Sequence, residues 1–258
     1  MRERRVGYIF AAVAITFARL GYEWLCAVDG QWNLGPRGPD GLRIVSWKVG
    51  GSGDGGRALS DKDLPHMAKV IQTLDADMVL FQEFKHSNQA HMLKALLAGD
   101  WQVIVAPGQG HRVAFAWQRG KVHPWYSLDS DRHAALCPVY RPRQKMPVAV
   151  VNIDAGASSA RRRNDTIGRS FDLLMRFNQV RGKVLAGDLN LDVETYNYVA
   201  RYMQDAAAHA GSTAELDRRL DYIFVKADTL RVDQAGPWKG KRIADMDHDP
   251  VVGDLQFR

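Results

Sequence analysis

A chain of 258 residues, 46% hydrophobic and 25% charged, has ordinary globular composition and room for one large α/β domain or two small ones. Its formal net charge of +6 and pI near 9.4 favour a polyanionic partner such as nucleic acid or an anionic membrane surface. Two cysteines, Cys26 and Cys137, match no zinc spacing; they could pair only in an oxidising compartment.

Arg2, Arg4 and Arg5 precede a run of thirteen uncharged residues, Val6 to Ala18. A basic start before a short apolar run is the pattern of an export signal, and Thr16-Phe17-Ala18 or the segment at Ala27 offers a cleavage site. An uncleaved anchor reaching Val28 would carry Arg19 and Glu23 into the apolar core at appreciable cost. An amphipathic helix packed on the domain is the third alternative. Residues 1–28 are thus expected to be a signal peptide or membrane anchor, 29–41 a linker, and 42–258 one domain, either exported or tethered to a membrane. Loss of residues 1–18 removes three Arg and one Glu and leaves the charge at about +4, still basic.

Leu42–Trp47 has strand composition and runs into the glycine-rich segment Gly50–Gly56, which lacks the following helix and acidic residue of a dinucleotide-binding turn. Ser60 with Asp63 suits a helix start, and Leu64, Met67, Val70, Ile71 and Leu74 form a helical stripe. Asp75-Ala76-Asp77 turns the chain into a strand over 78–82, and a helix fits 88–98. Strands are expected near 101–106, 111–118, 121–127, 134–140 and 147–153. A helix over 158–179, a strand over 183–187 and a helix over 194–208 follow. Strands near 221–226, 229–234 and 250–257 close the chain. Strands outnumber helices and many neighbours look antiparallel, so packed sheets flanked by helices are expected.

Four short motifs punctuate these elements: Gln82-Glu83, Gly187-Asp188-Leu189-Asn190, Asp221-Tyr222 and Asp247-His248-Asp249-Pro250. The first two lie at the ends of apolar strands, and the others open or precede one; at a strand end a carboxylate alone is usually a solvated cap. Together and in order they point to metal-dependent phosphoester hydrolysis. A hard divalent cation would offset charge building on the phosphoryl oxygens, and Glu83 with Asp247 would be adequate ligands for Mg2+, with Mn2+ as an alternative. Asp188 beside Asn190 suits a group that orients or deprotonates the attacking water. His248 can donate to the phosphate while Asp221 holds it oriented.

On these motifs the chain resembles the endonuclease/exonuclease/phosphatase superfamily from about Leu42 to Phe257. The resemblance implies a four-layered α/β sandwich, two packed and mostly antiparallel sheets between helices, with the site at one end. It implies that Glu83 binds metal, Asp188 orients water, Asn190 contacts phosphate and nucleophile, Asp221 polarises His248, and Asp247 is the acidic residue beside it. Nuclease action on DNA or RNA by a monomer is the leading expectation. A phospholipid or inositol-phosphate hydrolase of the same fold and a non-catalytic phosphate-binding relative are the alternatives.

Two positions depart from the pattern. Trp47-Lys48 stands where relatives carry Trp-Asn with the Asn near the metal, and Asp154 stands where many place histidine. Lys48 could contact the phosphate directly, could mark weakened catalysis, or could turn away and leave a neighbour such as Asp54 to supply a ligand. Arg161-Arg162-Arg163 could grip the phosphates of a polymer or form a solvated face. Trp101, Trp117 and Trp125 read as core rather than base-stacking platforms, and His66, His86 and His91 as solvated. His111, His123 and His133 lack acidic partners at metal spacing.

Overall fold

The computed structural model describes residues 30–31, 41–50, 57–107, 112–124, 129–130, 134–140, 147–156, 159–178, 180–191, 193–209, 211–214, 218–240, 243 and 246–258. At 30–31, 123–124, 129–130, 134–140 and 193–195 only the backbone is described. The expected leader at 1–28 and most of the linker lie outside these residues, as do Cys26, Asp54, His111, Trp125 and His133. The side chains of His123 and Cys137 are likewise outside them. Among the described residues no helix is long and apolar enough to cross a membrane.

In chain order the elements are β1 (Gly30–Gln31), β2 (Leu42–Lys48), α1 (Leu64–Thr73), β3 (Met78–Phe84), α2 (Ser87–Leu96), β4 (Trp101–Val105) and β5 (Arg112–Gln118). Then come β6 (His123–Pro124), β7 (Asp129–Ser130), β8 (Ala134–Tyr140), β9 (Pro147–Asp154), α3 (Ala160–Arg176), β10 (Gly182–Asp188) and α4 (Val193–Ala200). The chain closes with β11 (Gln204–Asp205), β12 (Asp221–Val225), β13 (Leu230–Pro237), β14 (Lys239–Gly240) and β15 (Val251–Phe257). A six-stranded sheet has the order β13-β15-β2-β3-β5-β4, and a seven-stranded sheet the order β11-β12-β10-β9-β8-β6 with β7 paired to β8. Among the described strands only β2·β3 and β9·β10 pair in parallel. The architecture is the expected mostly antiparallel α/β sandwich.

Strand alternation generates the layers. Trp47, Phe81 and Ala116 face α1 and α2, packing on Leu64, Met67, Ile71 and Leu93. Ile44, Leu80, Val150, Val184 and Ile223 meet between the two sheets. Val151, Leu185 and Phe224 face the other helical layer, against Ile167, Phe171 and Leu174 of α3. Trp101 and Trp117 are both buried, so they are core. Ser60 N and Oγ donate to Asp63 at the entry to α1, the local arrangement expected from spacing.

Two buried cations hold the frame in register. Arg43 grips Asp254 through Nε and Nη2, both at 2.7 Å, which locks β2 to β15. Lys183 Nζ donates to the carbonyls of Leu174, Phe177 and Val180, tying β10 to the C-terminus of α3, where orphan carbonyls need donors.

Two expected elements are corrected. The helix beginning near 194 stops at Ala200 rather than 208, because Gln204 and Asp205 pair with Val225 and Phe224 of β12. The Asp205 carboxylate also accepts from Arg219 Nη2 at 2.7 Å and from Ala207 N at 3.0 Å. These partners outweigh local helical preference. The strand expected over 121–127 is a two-residue pairing at His123–Pro124, and residues 125–127 lie outside the described set.

Candidate active site

The inner faces of the sheets change character along their length. On β2 the sequence facing the sheet gap is Leu42, Ile44, Ser46, Lys48; on β9 it is Val148, Val150, Asn152, Asp154; on β10 it is Val184, Ala186, Asp188. Antiparallel β12 contributes Asp221 opposite Asp188, then Ile223 and Val225. The apolar core therefore ends in a polar layer and then a charged one. In the polar layer Gln82 Nε2 donates to Asn152 Oδ1 at 2.7 Å and to Ser46 Oγ at 3.3 Å, and Asn152 Nδ2 bonds the carbonyls of Phe81 and Ala114 at 2.9 Å each.

Backbone geometry supports the charged layer. Glu83 has φ of 59° where the register of β3 against β5 slips between Phe81 and Phe84. That bulge lets Phe81 and Phe84 pack on one side with ring centroids 5.5 Å apart, while Glu83 reaches Lys48. A Cβ at Gly50 would come within 2.8 Å of Glu83 Cβ, so only glycine lets the chain pass so close. Gly187 has φ of 146°, and a Cβ there would collide with the carbonyl of Ile153 on β9. Asn190, at φ of 45°, donates from N and Nδ2 to the two Asp188 oxygens at 3.0 and 2.9 Å. Left-handed backbone at non-glycine residues is held only where surroundings enforce it.

His248 Nδ1 lies 2.6 Å from Asp221 Oδ2, and both side chains are buried. Burial opposes the imidazolium, but the charge and hydrogen bond of Asp221, with Asp188 beyond, push His248 up to about 9. The shift favours the protonated, donating imidazole, while burial pushes the Asp221 carboxyl up as well, against the pull of His248. Thr213 Oγ1 donates to the same Asp221 oxygen at 2.9 Å and accepts from the backbone of Leu220 and Asp221. Asp249 N in turn bonds the Thr213 carbonyl, so Thr213 joins the two segments of the pair. Sequence reading missed Thr213, which carries no local signal. Asp247 Oδ1 stands 3.7 Å from His248 Nε2 and, an atom shielded from solvent, accepts no hydrogen bond from the described residues.

Lys48 Nζ sits 2.8 Å from Asp188 Oδ2 and 3.2 Å from Glu83 Oε1. Burial works against its charge, yet Asp188, Asp154 and Glu83 raise the ammonium's pKa above the ordinary lysine value. Asp154, paired across the ladder with Asp188, is pushed up to about 7 by burial and by the Asp188 charge, against the pull of Lys48. Arg161, Arg162 and Arg163 occupy the first turn of α3 just after Asp154, with Arg161 and Arg162 exposed. The fold thus brings Lys48, Glu83, Asp154, Asp188, Asn190, Asp221, Asp247 and His248 to one end and sets the arginines on the adjoining helix.

These side chains do not fit the divalent ion expected on Glu83 and Asp247. The Lys48 ammonium lies against Glu83 itself, and among the described residues no group of three Asp, Glu, His or Cys side chains is arranged to hold a metal. A cation about 4 Å from that ammonium meets repulsion of roughly 4 kcal/mol per unit-charge product at an effective dielectric of 20, twice that for a divalent ion.

The fold and this constellation define a phosphoesterase-type sandwich. Residues 45–242 match the family model described as the Endonuclease/Exonuclease/phosphatase family, and the chain belongs to that family. Its hydrolases act on phosphoester bonds and typically use divalent metals. No curated protein matches the chain. Among solved structures it is similar to an endonuclease/exonuclease/phosphatase from Bacteroides vulgatus, with a TM-score of 0.71 and 17% identity over 84% of this chain and 99% of that one. It is also similar to a mannosyl-6-phosphatase from Bacteroides thetaiotaomicron, with a TM-score of 0.68 and 17% identity over 84% and 100% of the two chains. A third, D. rerio TDP2 complexed with a single strand DNA product, has a TM-score of 0.64 and 15% identity over 84% and 99%. At these identities the likeness establishes the fold.

Proposed function

We propose that the chain hydrolyses phosphodiester bonds of nucleic acid, outside the cytoplasm or at a membrane surface. The observation that carries this reading is the Asp221–His248 pair buried in one cluster with Asp188 and Asn190. In the reaction a water oxygen bonds to phosphorus while the bond to the leaving oxygen breaks. Asp188, fixed by Asn190 and Lys48, orients that water and receives its proton. The imidazolium of His248 donates to a phosphoryl oxygen and offsets its growing charge. Asp154, with its pKa near 7, is part protonated at neutrality and supplies the proton that the leaving oxygen needs.

Nucleic acid is favoured over lipid by the basic charge and by the arginines beside Asp154, and a single-stranded DNA product in the TDP2 neighbour is in keeping with it. A second reading, phosphate binding without turnover, is favoured by one observation: the Asp188 carboxylate is already bonded by Lys48 and Asn190. The test is the purified full chain against plasmid DNA, RNA, sphingomyelin and bis(p-nitrophenyl) phosphate, with chelator and with added magnesium or manganese. Scission of a nucleic acid that disappears in Asp188→Asn is the expected result. Phosphate binding with no turnover under any of these conditions would establish the second reading instead.

A further inference from the structure

We propose that the Lys48 ammonium is the resident cation of this site: it occupies the place of a divalent ion, keeps metal out, and itself receives the phosphate. The proposal rests on the phosphoesterase reading only for turnover; the cation's place is a statement about binding.

Three features of the fold converge on Lys48. Its position on β2 continues the inward-facing series after Ser46, and the pairing of Lys48 with Gln82 sets the ends of β2 and β3 side by side. The bulge at Glu83 and the bare backbone at Gly50 then press the Glu83 carboxylate onto the ammonium from one side. Asp188, on the facing sheet, takes it from the other. The lysine therefore bridges the two sheets at the mouth of the sandwich, between the two carboxylates that would otherwise attract a metal.

The chemistry of an ammonium suits that position. It has three N–H donors and no acceptor, so it cannot ligate a metal while charged. One N–H is donated to Asp188, the charge is paired with Glu83 at 3.2 Å, and no other described residue accepts from the third N–H. Carboxylate oxygens at 2.8 and 3.2 Å, from Asp188 and Glu83, pair with that cation from two sides. With its side chain only 10% exposed, the cation acts in surroundings where solvent screens it little. The third N–H and the His248 imidazolium then supply two positive donors for one phosphate.

The decisive measurement is Mn2+ titration of the chelator-stripped full-length protein, followed by the electron paramagnetic resonance of free ion. Lys48→Asn and Lys48→Met are run alongside, with folding checked by circular dichroism. The wild type should take up no Mn2+ at micromolar concentration, and Lys48→Asn should bind it at least tenfold more tightly than wild type. Calorimetry with inorganic phosphate in EDTA should show binding to the wild type that weakens at least tenfold in Lys48→Met. Micromolar Mn2+ binding by the wild type overturns the proposal without any variant. So does the absence of Mn2+ binding in a folded Lys48→Asn, or phosphate affinity unchanged in a folded Lys48→Met.

Hydrolysis of bis(p-nitrophenyl) phosphate is measured in parallel. Equal rates in EDTA and in magnesium support the proposal; a rate that appears only with magnesium overturns it while leaving the hydrolase reading intact. No rate in either condition sinks the hydrolase reading, and the Mn2+ and phosphate measurements still decide the role of Lys48.

Discussion

Gln82 Nε2 reaches across the gap between the two sheets to donate to Asn152 Oδ1 at 2.7 Å, directly beneath the charged layer. Asn152 also donates to the carbonyls of Phe81 and Ala114. Buried polar groups of this kind cost little when fully bonded and much when a partner is removed. Asn152→Ala should destabilise the chain by about 2–4 kcal/mol, read as a lower urea midpoint with an unchanged denaturant slope. A loss below about 0.5 kcal/mol would mean that the polar layer does not join the sheets.

The proposed catalytic pair makes a second prediction. Asp188→Asn and His248→Ala should each lower phosphodiester turnover by roughly 10²–10⁴-fold while circular dichroism stays unchanged. Wild-type rates in either purified protein would remove that residue from the mechanism.

Titration of His248 supplies a third. Its folded pKa, about 9, lies above the ordinary value of 6.5, so the protonated form is favoured by folding. This contribution to stability should be complete below about pH 6.5 and should fade as pH rises through about 9. In chelator-treated protein, the His248 ring resonances in NMR should titrate near that upper value. Replacing Asp221 by Asn removes the dominant favourable charge and should bring the midpoint down, provided the variant stays folded. A wild-type midpoint at or below 6.5 would contradict the imidazolium assignment.

Gly187 provides a local test of how the Asp188 loop is placed. Gly187→Ala sets a Cβ into the Ile153 carbonyl at a φ that L-residues rarely adopt, and should cost at least ~2 kcal/mol. Gly156→Ala, with no atom within 4 Å of its Cβ, serves as the control and should change stability by less than about 0.5 kcal/mol. Equal thermal midpoints for the two variants would show that the approach of β10 to β9 is not constrained at Gly187.

The arginine run makes the last prediction. If a polymer's phosphates lie along Arg161, Arg162 and Arg163, each lost contact should flatten the log–log salt dependence of nucleic-acid affinity by about 0.7–0.9. An unchanged slope in the triple alanine variant would leave the run as a solvated face.

The order of elements and the end of the sandwich that holds the acids were legible in the sequence. Alternation along Leu42–Lys48 and Pro147–Asp154 encodes which side chains face the gap, and the motifs sit at those strand ends because polar residues replace apolar ones there. These are local patterns, and period-two or helical spacing is enough to read them. What the tertiary structure decided are contacts between residues far apart in the chain. Thr213 bonds Asp221 only because the segment before β12 folds back on it, and α4 stops at Ala200 because Gln204 and Asp205 find β12. The destination of the Lys48 ammonium was among these. Sequence left it three outcomes, and the choice fell to Glu83 at its bulge and to Asp188 on the facing sheet, 140 residues away. A long flexible cation goes to whichever carboxylates the fold leaves beside it, and no local spacing records which those are.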